Sequence, residues 1–330
     1  MKPVRVATAW PIRTPVAAEF PDLQFYHDPQ LKSKGFAAAL RNLRFYFGER
    51  KADVVFANDL RVPLALSVLN RIFFWRPVLI YAGDSVFLYP PSRGPVRLFQ
   101  EVKAAILRRG VHHFIVLSTD EARAYARVWG FPPERVTAIK FKVIGEDKLD
   151  ALPVADEPYI WTGGDSERDY PAFFAAMRLL PRLNARVYTN LRIDRKVVPL
   201  NVDICPNDGS VAAFYGPAAR ARVCVMPLRG NVLRSAGQGT YLSAMYLKKA
   251  LVVSDTPGVR DHVCDTVSGL IVPPGSPERM AAAIAFLWHD APLRRILGET
   301  AGIVARLENR HGDYMRRHFQ KLRWLAASAQ

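Results

Sequence analysis

The chain has 330 residues, 50% hydrophobic and 23% charged, an ordinary globular composition at a length that suits two domains. No apolar run reaches the roughly 18 residues of a membrane span, and the opening MKPVRVATAW has neither the apolar stretch nor the cleavage site of a secretory signal. The net charge of +16 is spread over both halves and favours anionic partners, while the lack of zinc-finger spacing, an RNA-binding signature or an arginine-rich tail leaves nucleic acid unexpected as a partner.

The first half opens on the strand-like VRVATAW. A helical pattern follows in which Phe36, Leu40, Leu43 and Phe47 form an apolar stripe, with Lys34, Arg41 and Arg44 off it. That stripe suits either packing on a sheet or docking on an anionic membrane surface. ADVVFAN, RPVLIYAG and HHFIVLS are the next strands. Asn58 and Asp59 follow the first of these, and Asp84 follows the second. Asp84 suits a hydroxyl contact, an acid/base role, or an Asx-type cap on the next segment.

A charged stretch near 145–157 breaks the series. Beyond it, YIWTGG, ARVYTN, VDICPN, RVCVMP, ALVVSD and GLIVPP alternate with helical patterns. Two such series predict an α/β protein of two doubly wound parallel sheets. Ligands bind such sheets beyond the carboxyl ends of their strands, so a cleft between two domains is expected. After YIWT, the sequence GGDSERDY supplies Gly163, Gly164 and Arg168 just before a helix. This is either a phosphate site or an ordinary tight turn. After RVCVMP, Arg229 and Arg234 flank a loop ending in SAGQG, residues Ser235 to Gly239. Gly237 and Gly239 would bare backbone N–H groups to an anion, Gln238 could hydrogen-bond a ligand, and Ser235 or Thr240 could cap the helix that also carries Ser243. Asp255 and Thr256, where ALVVSD ends and the Pro257–Gly258 turn begins, read as a ligand contact or as turn punctuation.

Other chemistries find little support. P-loop, nucleophile-elbow, HExxH and Asp-x-Asp patterns are missing, so neither a bound metal nor a cofactor is expected. Cys205, Cys224 and Cys264 lie far apart and fit free thiols in a reducing cytoplasm. His112 and His113 are adjacent on a strand and point to opposite faces, so both cannot ligate one ion.

The C-terminal half resembles the nucleotide-sugar domain of family 4 retaining glycosyltransferases. The residues that carry the likeness are VCVMPL, SAM at 243–245, ALVVSDTPGVRDHV, SGLIVPPGSPERMAAAIAFLWHD and RILG, with WTGGDSERDYPAFFAAMRLLP resembling that domain's first strand–loop–helix. The first 150 residues match only in layout. The resemblance implies the GT-B fold, two Rossmann-like domains facing a cleft: 1–150 on the acceptor side, 151–312 binding the donor, and a helix over 313–330 returning to the first domain. It implies retaining, metal-independent transfer of a sugar, hexosyl in type, from a nucleotide-diphosphate sugar to a glycan, lipid-linked or small-molecule acceptor. The setting would be the cytoplasm or the cytoplasmic face of a membrane.

At several positions the chain departs from that family. The family carries two glutamates with seven residues between them, which contact the donor sugar and the ribose; here Ser235 and Ser243 stand there. Gly164 replaces the first cation of an Arg–Lys pair in the first loop, and Arg168 stands near the second. Asp84 is the positional counterpart of a first-domain histidine, and WPIRTPV replaces a glycine-rich turn. The resemblance therefore implies catalytic roles for Asp84 and Arg168. It implies donor contacts from Gly163, Gly164, Arg229, Arg234, Ser235, Ala236, Gly237, Gln238, Gly239, Thr240 and Ser243, and acceptor-side positions at Asn58 and Asp59. The loss of both glutamates also fits a non-catalytic relative that binds a nucleotide or glycan as a subunit.

Overall fold

The structure is a computed structural model that describes residues 3–28, 45, 51–57, 61–74, 78–83 and 91–328. The apolar stripe at 36–47, Asn58, Asp59 and Asp84 lie outside the described residues. The chain divides into two compact units, Met1–Ile139 with Gly312–Gln330, and Lys140–His311. The division falls ahead of the charged stretch because Val143 and Leu149 are already buried in the core of the second unit.

Unit one holds a six-stranded sheet of β1 (Val4–Thr8), β2 (Leu23–His27), β3 (Val54–Ala57), β4 (Leu79–Ala82), β5 (His113–Val116) and β6 (Val136–Ala138), in the order 2-1-3-4-5-6. All its strand pairs are parallel. Its described helices are α1 (Arg61–Ile72), α2 (Pro95–Gly110) and α3 (Thr119–Trp129). Ser118 caps α3 by accepting from the Glu121 N–H at 3.1 Å, and Gly130 ends it in the left-handed conformation. Strands β2 and β6 are absent from the sequence-based expectation. The first is an edge strand without alternation, and the second is only three residues long.

Unit two holds β7 (Glu157–Gly163), β8 (Ala185–Tyr188), β9 (Val202–Cys205), β10 (Ala221–Met226), β11 (Leu251–Ser254) and β12 (Leu270–Val272), in the order 12-11-10-7-8-9. These are the six expected runs, again all parallel. The middle strands β10 and β11 are buried on both faces, as their unbroken runs VCVM and LVVS require. The helices are α4 (Glu146–Asp150), α5 (Tyr170–Arg178), α6 (Val211–Arg220), α7 (Gln238–Tyr246), α8 (Pro277–His289) and α9 (Ala291–Glu308). Phe173 and Met177 on α5 and Met280, Ile284 and Leu287 on α8 pack into one core cluster on a face of the sheet. Trp161, Phe214, Tyr215 and Tyr241 belong to a second cluster.

The last helix, α10 (His311–Ala327), buries Met315, Phe319, Leu322 and Leu325. Within unit one, the Phe319 ring lies 4.5 Å from that of Phe25 and 5.5 Å from that of Phe20. Arg316 holds Glu19 with two 2.8 Å hydrogen bonds, and Arg323 pairs with Asp22. The exposed ion pairs contribute little beside the buried aromatic contacts. Among the described residues, no helix is long and apolar enough to cross a membrane.

Candidate functional site

The strand order of the second sheet locates its ligand-binding edge. From β7 the chain runs outward to β8 and β9, then returns to place β10 on the other side of β7. Loops leaving β7 and β10 therefore diverge, and the crevice at such a switch point is where open parallel sheets bind ligands. Those two loops carry most of the expected site residues.

The loops are tied together by their backbones. Arg168 and Leu228 form an antiparallel bridge, the Asp169 N–H donates to the Pro227 carbonyl at 2.9 Å, and the Arg229 N–H donates to the Glu167 carbonyl at 3.1 Å. Glu167 takes a positive φ of 53°, which turns the chain between Ser166 and Arg168. Its carboxylate accepts from Arg234 at 3.0 Å, and the same guanidinium donates to the Ser166 hydroxyl at 2.9 Å. Arg234 thus closes the loop it was expected to flank. The Arg229 side chain is exposed.

Arg168 is the centre of this arrangement and is only 4% exposed. Its Nε donates to the Gly163 carbonyl at 2.8 Å, and its two terminal nitrogens donate to the Ser166 carbonyl at 2.8 Å and the Thr240 hydroxyl at 3.0 Å. All three acceptors are uncharged. Asp165 adds a weaker attraction, but its carboxylate is occupied by the Thr189 hydroxyl at 2.6 Å and the Asn190 N–H at 3.0 Å. Burial pulls the Arg168 pKa below the usual arginine value.

The guanidinium lies at the start of α7 rather than at the helix that follows it in sequence. Asp169 caps that nearer helix, α5, by accepting from the Ala172 N–H at 3.1 Å. Gly237 is the N-cap of α7, with φ of 71° and no side-chain capping bond. A helix start has positive potential from its first-turn N–H groups. The site therefore sums a buried guanidinium and an uncapped helix N-terminus, a combination that favours a bound anion such as a phosphate.

The glycines of this region make room for the protein's own side chains. A Cβ at Gly163 would stand 2.8 Å from the Phe214 ring, and one at Gly164 would collide with the Arg168 guanidinium. At Gly237 it would stand 3.1 Å from Arg168, and at Gly239 it would stand 3.0 Å from Ile144. At all four, the place a Cβ would take is held by the protein's own side chains, so these glycines let Arg168, Phe214 and Ile144 pack against the loops.

Ser235, Ala236, Gln238 and Ser243 are buried. The Ser243 hydroxyl donates to the Gly239 carbonyl one turn back, at 2.8 Å, and Tyr215 donates to the same carbonyl at 3.1 Å. Ser243 is completely covered. A side chain this short stays within the helix's own hydrogen bonding.

Sequence reading missed several supporting residues. Tyr215 is one, and Tyr170 is another, donating to the Gly164 carbonyl at 2.5 Å. Gln238 begins a buried polar chain. Its side-chain amide is 3.2 Å from His262 Nε2, and the Asn309 amide nitrogen is 2.9 Å from His262 Nδ1. Asn309 also donates to the Phe141 carbonyl at 2.7 Å. These contacts join residues far apart in sequence, so no local spacing signals them.

His262 is held neutral, its pKa lowered to about 4 by burial and secondarily by Lys140. The unfolded chain takes up this proton near pH 6.5 and the folded chain does not, so acid favours unfolding across that window. Between pH 6.5 and 4, this residue should cost up to about 1.4 kcal/mol of stability per pH unit. Chemical denaturation at stepped pH should show a flatter profile for His262→Gln than for the wild type. Identical slopes would remove His262 from the explanation.

Asp255 sits at the end of β11, where Arg260 engages both its carboxylate oxygens, at 3.0 and 2.8 Å. It serves as turn structure there. Among the described residues, no three of His, Cys, Asp or Glu converge as metal ligands.

Comparison with known proteins agrees with this architecture. Residues 208–290 match the family described as Glycosyl transferases group 1. No curated protein matches the chain. A glycosyltransferase from Rickettsia africae superposes with a TM-score of 0.70 at 12% identity, over 98% of this chain and 99% of that one. The Anabaena protein HepE, in complex with UDP and glucose, gives 0.67 at 14% identity over 96% and 90%. Sucrose-phosphate synthase from Thermosynechococcus elongatus gives 0.66 at 20% identity over 93% and 82%. The two parallel six-stranded sheets with flanking helices are the GT-B fold of these solved structures, and residues 208–290, within unit two, match the glycosyltransferase group 1 family.

Proposed function

We propose that this chain is a retaining glycosyltransferase that takes a sugar from a nucleotide-diphosphate donor bound at the switch point of the second sheet. One observation carries the reading: Arg168 is buried beside the uncapped start of α7, and its hydrogen bonds all go to uncharged oxygens. A donor diphosphate would supply the directly bonded anion that Arg168 lacks. As the glycosidic bond breaks, charge grows on the leaving diphosphate. Fixed positive groups aimed at that charge stabilise the transition state more than the ground state. Arg168 and the first turn of α7 would do this without a metal, and Arg234 and Arg229 would extend the field along the loop. HepE binds UDP and glucose on the same fold, which supports a uridine donor as the first to try. The acceptor is a glycan, a lipid-linked sugar or a small molecule, approached in the cytoplasm or at its membrane face.

The test is hydrolysis or transfer with a panel of UDP-, GDP- and ADP-sugars. Turnover of at least one is expected, and failure of every donor both to bind and to react would overturn the reading.

One observation favours a second reading. Ser243 stands where the resemblance places a ribose-binding glutamate, and it is wholly buried and bonded to its own helix. A chain that kept the phosphate site and lost this contact would be a nucleotide-binding subunit without transfer activity. Tight binding of a nucleotide with no turnover across donors and acceptors would select this alternative.

A further inference from the structure

Two neighbouring helices of unit one turn large apolar side chains outward. On α2, Leu98 is 66% exposed, Phe99 62% and Val102 49%. Leu98 and Val102 are four residues apart, and Phe99 and Val102 three, so they share one side of the helix. The same helix buries Ala104 and Leu107. It therefore carries an inner apolar side and an outer one. On α1, Val68 and Ile72 are exposed and again four apart, while Val62 and Leu66 are buried. The two helices pack closely, since a Cβ at Gly110 would overlap the Ser67 side chain.

The surrounding charge has one sign. Residues 61–74 and 91–110 contain seven lysines or arginines and one acidic residue, Glu101. Arg97 already engages Glu101 at 2.8 Å. Lys103 Nζ lies 4.5 Å from the centroid of the Phe99 ring, so a cation sits directly beside the outward aromatic. An apolar helix side edged by cations is the pattern of helices that lie in a membrane interface. Scattered exposed apolar residues need no explanation, but a periodic set on a helix within a basic surface does.

We propose that this face of unit one docks on an anionic phospholipid bilayer, with α2 in the interfacial plane. Leu98, Phe99 and Val102 enter the acyl boundary, and Lys103, Arg93 and Arg109 lie among the headgroups. The charge complementarity selects this occupant over a second copy of the chain, whose own surface would bring the same cations. The proposal is independent of the donor site, and it places the docking face on described helices distinct from the 36–47 stripe.

The experiment is co-sedimentation of the full chain with vesicles of phosphatidylcholine alone or mixed with phosphatidylglycerol. The chain should sediment with the anionic vesicles and release as salt is raised. The combined variant Leu98→Ser, Phe99→Ser and Val102→Ser should lower partitioning at least about tenfold with only a small fall in Tm, because each of these side chains is about half exposed or more. Lys103→Ala and Arg109→Ala should each lower it about fivefold. No sedimentation with anionic vesicles, or equal sedimentation of the triple variant, would overturn the proposal. So would a dimer in vesicle-free buffer that the triple variant dissociates, since a second copy would then cover the face.

Discussion

Arg168→Gln should lower kcat/KM for a nucleotide-sugar donor by about 100-fold or more while changing folding stability much less. The first part follows from the chemistry of the leaving group. Removing one fixed donor from a developing oxyanion costs about 2.7–4 kcal/mol, which corresponds to about 100- to 1,000-fold in rate. Arg168 supplies the one fully buried cation of the two loops, so loss on this scale is expected. The second part follows from burial. The folded chain bears the cost of desolvating a guanidinium whose partners are the Gly163 and Ser166 carbonyls and the Thr240 hydroxyl. Glutamine loses hydrogen bonds but also removes that desolvation cost, so the two effects oppose each other. Function and stability should therefore separate, as they do where a site is built at a cost to the fold. Arg168→Lys keeps the charge and cannot serve three acceptors in one plane, so its activity should fall between the two. Steady-state kinetics and thermal melts on the three proteins check this. Equal activity in wild type and Arg168→Gln would remove the arginine from the chemistry.

Gly164→Ala should be the most damaging single-methyl change in the site. Gly164 has φ of 102°, outside the range that side-chain-bearing residues adopt comfortably, and strain of this kind costs about 1–3 kcal/mol. The added Cβ also meets the Arg168 guanidinium directly. Either the backbone shifts or the arginine leaves its three acceptors, and donor affinity should fall at least about tenfold in each case. The steric part of this cost depends on Arg168. In a double-mutant cycle with Arg168→Gln, the two changes should be less than additive in stability, because a shorter side chain relieves the collision. Strict additivity would show that the guanidinium and Gly164 do not interact as described.

The fold was legible in the sequence because both sheets are parallel and covered on both faces. Runs such as VCVM and LVVS can be little else when helical patterns separate them. The misses have physical causes. β2 is an edge strand with partly exposed residues, so LQFYH carries neither a continuous nor an alternating signal. The site was legible in outline, because the residues after β7 and β10 follow from strand order alone. Its contacts were not. Arg168 read as a cation beside the start of the helix it precedes, but Asp169 caps that helix and the arginine reaches Thr240, far along the chain. Gly164 and Gly237 read as places where backbone meets a ligand, and the room a Cβ would fill there is taken by Arg168. A glycine signals that a Cβ is not tolerated, but not which atoms exclude it. Ser243 followed its place in a family pattern; its bond to the Gly239 carbonyl is one helical turn long, but Tyr215, which reaches the same carbonyl from α6, is signalled by no spacing.

The most direct measurement is a crystal structure of the chain with UDP. Its diphosphate should lie over the first turn of α7, within hydrogen-bonding reach of the Gln238–Thr240 backbone and against the Arg168 guanidinium. UDP bound elsewhere on the chain, with Arg168 still held by its three internal acceptors and no phosphate beside it, would contradict the central claim.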